Sequence, residues 1–131
     1  MSVEVYFNGV MLTAEVIPMG ENLCVAVTGR DRPHLGCAVL AVPHPGISDP
    51  AQSSATVSAL NLPAHRDDRL AVPIAKTLAA ALKRAVVVVC GVHFDCFSAE
   101  LAIKAEQAAK KLGQEILKQW AYEKEDSRDI M

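Results

Sequence analysis

The sequence predicts an α+β fold, a largely antiparallel sheet of N-terminal strands followed by helix, strand and helix, with the helices on one side. Three observations lead there. Up to residue 62, short runs of β-branched and apolar residues are punctuated by Gly, Pro and Asn. From residue 67 the apolar residues recur at helical spacing. Between the two helical stretches, Val86 to Cys90 is apolar without relief, the pattern of a strand covered on both faces.

Val3–Phe7 and Val10–Ile17 flank Asn8-Gly9, a favoured two-residue hairpin turn. Pro18–Asn22 reads as a turn, and Leu23–Thr28 as a strand with Leu23, Val25 and Val27 on one face. Gly29–His34 breaks the run, and Leu35–Val42 resumes it. Pro43, Pro45, Gly46 and Pro50 read as a surface loop. In Ser54–Leu60, three hydroxyls (Ser54, Thr56, Ser58) alternate with Ala55, Val57 and Ala59. Period two places them on one face, either the wet side of the sheet or a row of donors lining a groove.

A helix is expected over residues 67–84, with Leu70, Ile74, Leu78, Ala81 and Leu82 on one stripe and Asp67 or Asp68 as the N-cap. Pro73 suits only a first turn, so the regular helix is expected from about Ala71. A strand over 86–92 and a helix over 98–121 follow; Ser98 caps the helix, whose stripe is Leu101, Ala105, Ala108, Leu112 and Ile116. The charged tail 122–131 is expected to fray.

With 131 residues and no dividing linker, the chain reads as one domain, 1–131. Half of it is hydrophobic but only 5% aromatic, so Ala and Val fill the core. A formal charge of −2 argues against nucleic acid as the main partner. No apolar run is long enough to span a bilayer and no signal-peptide pattern opens the chain, so a cytoplasmic protein is expected. Cys24, Cys37, Cys90 and Cys96 form no close pair in sequence and read as reduced thiols, mostly of the core.

Three polar clusters interrupt the apolar elements: Gly29-Arg30-Asp31-Arg32-Pro33-His34, Pro63-Ala64-His65-Arg66-Asp67-Asp68 and Gly91-Val92-His93-Phe94-Asp95. The second precedes a helix, where backbone N–H groups and the dipole favour phosphate, and Arg66 adds a charged donor. Asp67 and Asp68 oppose that, and taken by themselves they are better explained as helix caps. In the third, His93 and Asp95 alternate on one side of an extended chain, which suits an imidazole oriented by a carboxylate or a structural histidine. The histidines lack the close spacing of a metal site, and no nucleophile elbow, P-loop, dinucleotide fingerprint or HExxH is present.

The runs GRDRPHLG (29–36), TVS (56–58), LPAHRDD (62–68) and VVVCGVHFD (87–95), in that order, resemble the prenylated-flavin chaperone-like proteins. These are small accessory proteins of gallate-type decarboxylases, and the resemblance extends from about Val10 to Leu112. It implies a fold akin to the proteasome-assembly-chaperone domain, commonly dimeric. It also implies prenylated FMN as ligand, with FMN a weaker alternative, and a UbiD-type decarboxylase as partner, with a flavin prenyltransferase as a further one. Ala64 stands where that pattern would have glycine, and Cys96 where it would have a small polar residue.

The site expected from the residues and the resemblance together comprises Arg30, Arg32, His34, Thr56, Ser58, His65, Arg66, His93 and Asp95, in a non-catalytic cofactor carrier that forms a homodimer. Two other readings stay open: a small enzyme using His65, His93 and Asp95 for acid–base or metal chemistry, and an assembly chaperone with no small-molecule ligand.

Overall fold

The computed structural model describes residues 1–7, 9–29, 34–63, 66–93 and 98–130, without the side chains of 10 and 124–130. In chain order the elements are β1 (Ser2–Phe7), β2 (Val10–Met19), β3 (Asn22–Gly29), β4 (Cys37–Pro45), β5 (Ser53–Asn61), α1 (Asp68–Leu82), β6 (Val86–Gly91) and α2 (Ala99–Ile130). The six strands form one sheet in the order β1-β2-β3-β6-β4-β5. Every neighbouring pair is antiparallel except β3 and β6. The chain is therefore α+β, as its periodicities predict. β6, the most apolar run, takes the central place between β3 and β4.

Both helices pack on one face. α1 lies against β4, β5 and β6, and α2 against β1 and α1. The buried stripe of α1 is Leu70, Ala71, Ile74, Ala75, Leu78 and Ala79. It meets Val25, Val39, Val86 and Val88 of the sheet in a single core with Leu112 and Ile116 of α2. Alternate strand residues face away from the helices. There Ile17, Leu40, Val42 and Leu60 are exposed, Leu60 by 77%.

Four expectations about boundaries change. Pro18 lies inside β2, paired with Leu23, and the turn narrows to Gly20-Glu21. The Val16 N–H points toward the first strand and bonds the Met1 carbonyl. Two residues on, Pro18 faces the same way past the end of β1, so its missing N–H is not needed. Pro43 and Pro45 likewise belong to β4, whose pairing with β6 stops at Ala41. The loop shrinks to 46–52, closed by Gly46 N–H to the Gln52 carbonyl (2.6 Å) and Gln52 N–H to the Asp49 carbonyl (3.0 Å).

Pro73 sits one turn inside α1, which begins at Asp68 rather than near Ala71 and forgoes one i→i−4 bond. Lys83 ends that helix in a left-handed conformation (φ 55°), its N–H bonding the Ala79 carbonyl. At the far end of the chain, α2 continues past Tyr122 to Ile130, where the charged composition predicts fraying.

Candidate functional site

The sheet's topology brings the described flanks of all three polar clusters to one end. β3 and β6 run parallel, so Gly29 and Gly91 finish at the same edge. β4 starts there and β5 ends there, because Cys37 pairs with both Cys90 and Asn61. The loop leaving β5 leads directly into α1, whose N-terminus closes this end.

Three backbone contacts and one from a side chain knit the segments together. The Gly36 N–H bonds the Cys90 carbonyl at 2.9 Å, and the Leu62 N–H bonds the Gly36 carbonyl at 2.9 Å. The His34 carbonyl lies so close over Gly91 that no β-carbon would fit there. Gly36 is covered in the same way by the Asp67 carboxylate. These two glycines are required by close approach.

Asp67 is the hub. It occupies the N-cap position of α1 (φ −68°, ψ −12°), but its side chain makes no capping bond. It is 6% exposed, and its Oδ1 accepts the buried Val92 N–H at 3.0 Å. Its Oδ2 lies 3.5 Å from His34 Nε2, on a ring 25% exposed. A residue expected to cap a helix instead joins all three clusters. Its neighbour Asp68, 20% exposed, takes the Arg66 Nε–H at 3.2 Å.

The start of α1 is also less open to an anion than its sequence implies. The Arg69 N–H bonds the Arg66 carbonyl, and the Leu70 and Ala71 N–H groups bond the Asp67 carbonyl. Side chains would therefore do most of the holding of a phosphate here. Arg66, 65% exposed, is placed for that, although Asp68 shares its charge.

Of the expected site residues, His34, Arg66 and His93 lie at this end, His93 half-buried directly after Val92. Thr56 and Ser58 do not join them. They pair with Val42 and Leu40 on the uncovered face of the sheet, while Ala55 and Val57 turn toward the helices. The alternation that groups the hydroxyls also separates them from α1. Arg30, Arg32, His65 and Asp95 lie outside the described residues.

Two features escape the sequence: the inward carboxylate of Asp67, and the pairing of Cys37 with Cys90 across β4 and β6. Both join residues distant in the chain, and nothing local signals them. Among the described residues no group of three or more His, Cys, Asp or Glu side chains could hold a metal. Two surface concavities lie elsewhere, one against the 46–52 loop and one between β1 and α2; none of His34, Asp67 or His93 lines them. No described helix is long and apolar enough to cross a membrane.

Residues 7–121 match the family described as the prenylated flavin chaperone LpdD-like domain. Among solved structures, the chain resembles a component of a chaperone complex for yeast 20S proteasome assembly. The TM-score is 0.53 at 14% identity, covering 91% of this chain and 95% of that one, and the likeness is one of fold. Comparison with curated proteins gives no match.

Proposed function

This chain belongs to the LpdD-like prenylated flavin chaperone family, and on that premise we propose that it binds prenylated FMN and shelters or delivers it to a UbiD-type decarboxylase. It works in the cytoplasm and catalyses no reaction of its own. The observation that carries this reading is the convergence of His34, Arg66 and His93 at the N-terminus of α1. Family membership supplies the ligand class.

The residues there fit an anionic group. Arg66 offers an exposed guanidinium at a helix start, and His34 and His93 add imidazoles that donate or accept. Arg30, Arg32 and His65 belong to the same three clusters and are proposed with them. The group's own contribution is its phosphate and its redox-active ring. The chain's part is to hold the phosphate at α1 and keep the His34 segment in place through Asp67.

We further propose a homodimer built on the uncovered sheet face, with a second copy as its occupant. That face presents Ile17, Leu40, Val42 and Leu60. Among the described residues its strands carry only two charged side chains, Glu4 and Glu15, both on the β1–β2 side. Depletion of charge around exposed aliphatic residues is the composition of an interface core.

Anaerobic titration with prenylated FMN and with FMN tests the main reading. Saturable binding, tighter for the prenylated form, and transfer to an apo-decarboxylase are expected. A protein that binds neither flavin yet still associates with the decarboxylase would be an assembly chaperone instead.

A further inference from the structure

Cys37 opens β4, Cys90 is the penultimate residue of β6, and the antiparallel register sets them directly opposite each other. Both thiols are free and 1% exposed, and each shares its strand's inward face with core valines. Opposed residues on antiparallel strands have Cα atoms about 4.5–5.5 Å apart. A disulfide needs Cα atoms about 4.4–6.8 Å apart, with both side chains on the same side. On this register and with both side chains in the core, the pair fits both conditions.

The two sulfurs are also chemically unequal. The Cys90 S–H donates to the Cys37 sulfur, which holds the Cys37 thiol below its ordinary range. The same bond, with burial, pushes Cys90 far up. Of the two, Cys37 is the thiol eased toward ionisation and Cys90 the one kept protonated. Two positions beyond Cys90, the Val92 N–H ties this end of the sheet to Asp67, so a reagent reaches the pair only through local opening of that end.

We propose that Cys37 and Cys90 form a redox-active dithiol, a modification site for small disulfides of the glutathione class, with Cys37 attacking first. The Cys37 thiolate attacks one sulfur of the small disulfide and expels the other as a thiolate, which takes up a proton. Cys37 is then uncharged, so the interaction that most opposed ionisation of Cys90 is gone. Cys90 gives up its proton and attacks the Cys37 sulfur, breaking the mixed disulfide and releasing the second thiol. The protein loses two electrons and two protons, and the small disulfide becomes two thiols. The new bond ties β4 to β6 at the floor of the candidate site.

The test incubates the reduced full chain with oxidised glutathione, quenches in acid, alkylates and maps the peptides. Two of the four cysteines should disappear from the thiol count into one intramolecular bridge between the Cys37 and Cys90 peptides, reversed by dithiothreitol. The bridged protein should melt several degrees higher. Neither Cys90→Ala nor Cys37→Ala should form the bridge, and Cys90→Ala, which removes the S–H that lowers the Cys37 thiol, should add glutathione at Cys37 only slowly. Cys24→Ala/Cys96→Ala should still form the bridge, even if either single variant folds poorly. A bridge involving Cys24 or Cys96, or four thiols persisting in the native protein under conditions that oxidise it when unfolded, would overturn the assignment.

Discussion

The Asp67 carboxylate accepts the Val92 backbone N–H at 3.0 Å, joining residues 25 apart in sequence. The bond is buried, so its loss would leave an amide with neither protein nor water as partner. Asp67→Ala should therefore destabilise the fold by about 1–3 kcal/mol, the desolvation penalty of an orphaned buried polar group. Asp67→Asn keeps an acceptor and should cost less. Asp68→Ala removes only an exposed pairing with Arg66 and should cost at most about 1 kcal/mol. Urea unfolding of the three variants checks the order, and equal losses at Asp67 and Asp68 would mean both act as simple caps.

That contrast also shows what a single sequence conveys. The helix at 68–82 is readable from Leu70, Ile74 and Leu78, because local periodicity reports a local structure. The direction of the Asp67 side chain is not, because its partner depends on how β6 enters the sheet. Pro18, Pro43 and Pro45 read as turn residues for a related reason. A proline is tolerated in a strand wherever the neighbouring strand has ended, and that requires knowing the pairing. The three polar clusters are recognisable one by one, while their convergence arises from the parallel β3–β6 pair. Thr56 and Ser58 show the converse: their alternation is plain, but the face they share lies opposite the helices.

Cys37 and Cys90 carry a pH signature. A thiol whose folded pKa is raised stabilises the protein fully below its unfolded value, here 9.0, and loses that contribution as pH climbs above it. Cys37 is shifted the other way and offsets this in the parent chain. In Cys37→Ala the burial of Cys90 and the charge of Asp67 remain, both still raising it. Its stability should fall above about pH 9, by up to ~1.4 kcal/mol per pH unit, relative to Cys37→Ala/Cys90→Ala. Parallel unfolding curves for the two variants would mean that Cys90 ionises as freely in the folded state as in the unfolded one.

The uncovered sheet face makes a prediction about mass. Leu40 and Leu60 are exposed on adjacent strands, where Leu60 pairs with Ala38 and Leu40 with Ser58. A charge placed there would be desolvated on dimerisation without a partner, at a cost of several kcal/mol. Light scattering should give a dimer for the parent chain and a monomer for Leu40→Glu/Leu60→Glu, with circular dichroism unchanged because both side chains already meet solvent. A parent monomer at micromolar concentration, or a variant that stays dimeric, would remove this face from the assembly.

The prediction that bears most directly on function separates a ligand site from a tied-down loop. Arg66 pairs with Asp68 at the surface, so Arg66→Ala should change stability by no more than about 0.5 kcal/mol. If its guanidinium holds a flavin phosphate, the same substitution should weaken prenylated FMN binding by about 1.5–3 kcal/mol, the worth of a hydrogen bond to a charged group. His65→Ala should weaken binding as well. Asp68→Ala should do the opposite: it frees the guanidinium and removes a negative charge beside the phosphate, so affinity should rise or hold. Asp67→Ala should lower both stability and affinity, since His34, Gly36 and Val92 all depend on that carboxylate for their placement. Thr56→Val and Ser58→Ala lie on the other face and should leave binding of the phosphate end unchanged. Isothermal titration under anaerobic conditions, paired with melting curves, reads both quantities on each variant. If Arg66→Ala binds as tightly as the parent while the Thr56 or Ser58 variant does not, the ligand lies on the uncovered sheet face and not at the start of α1.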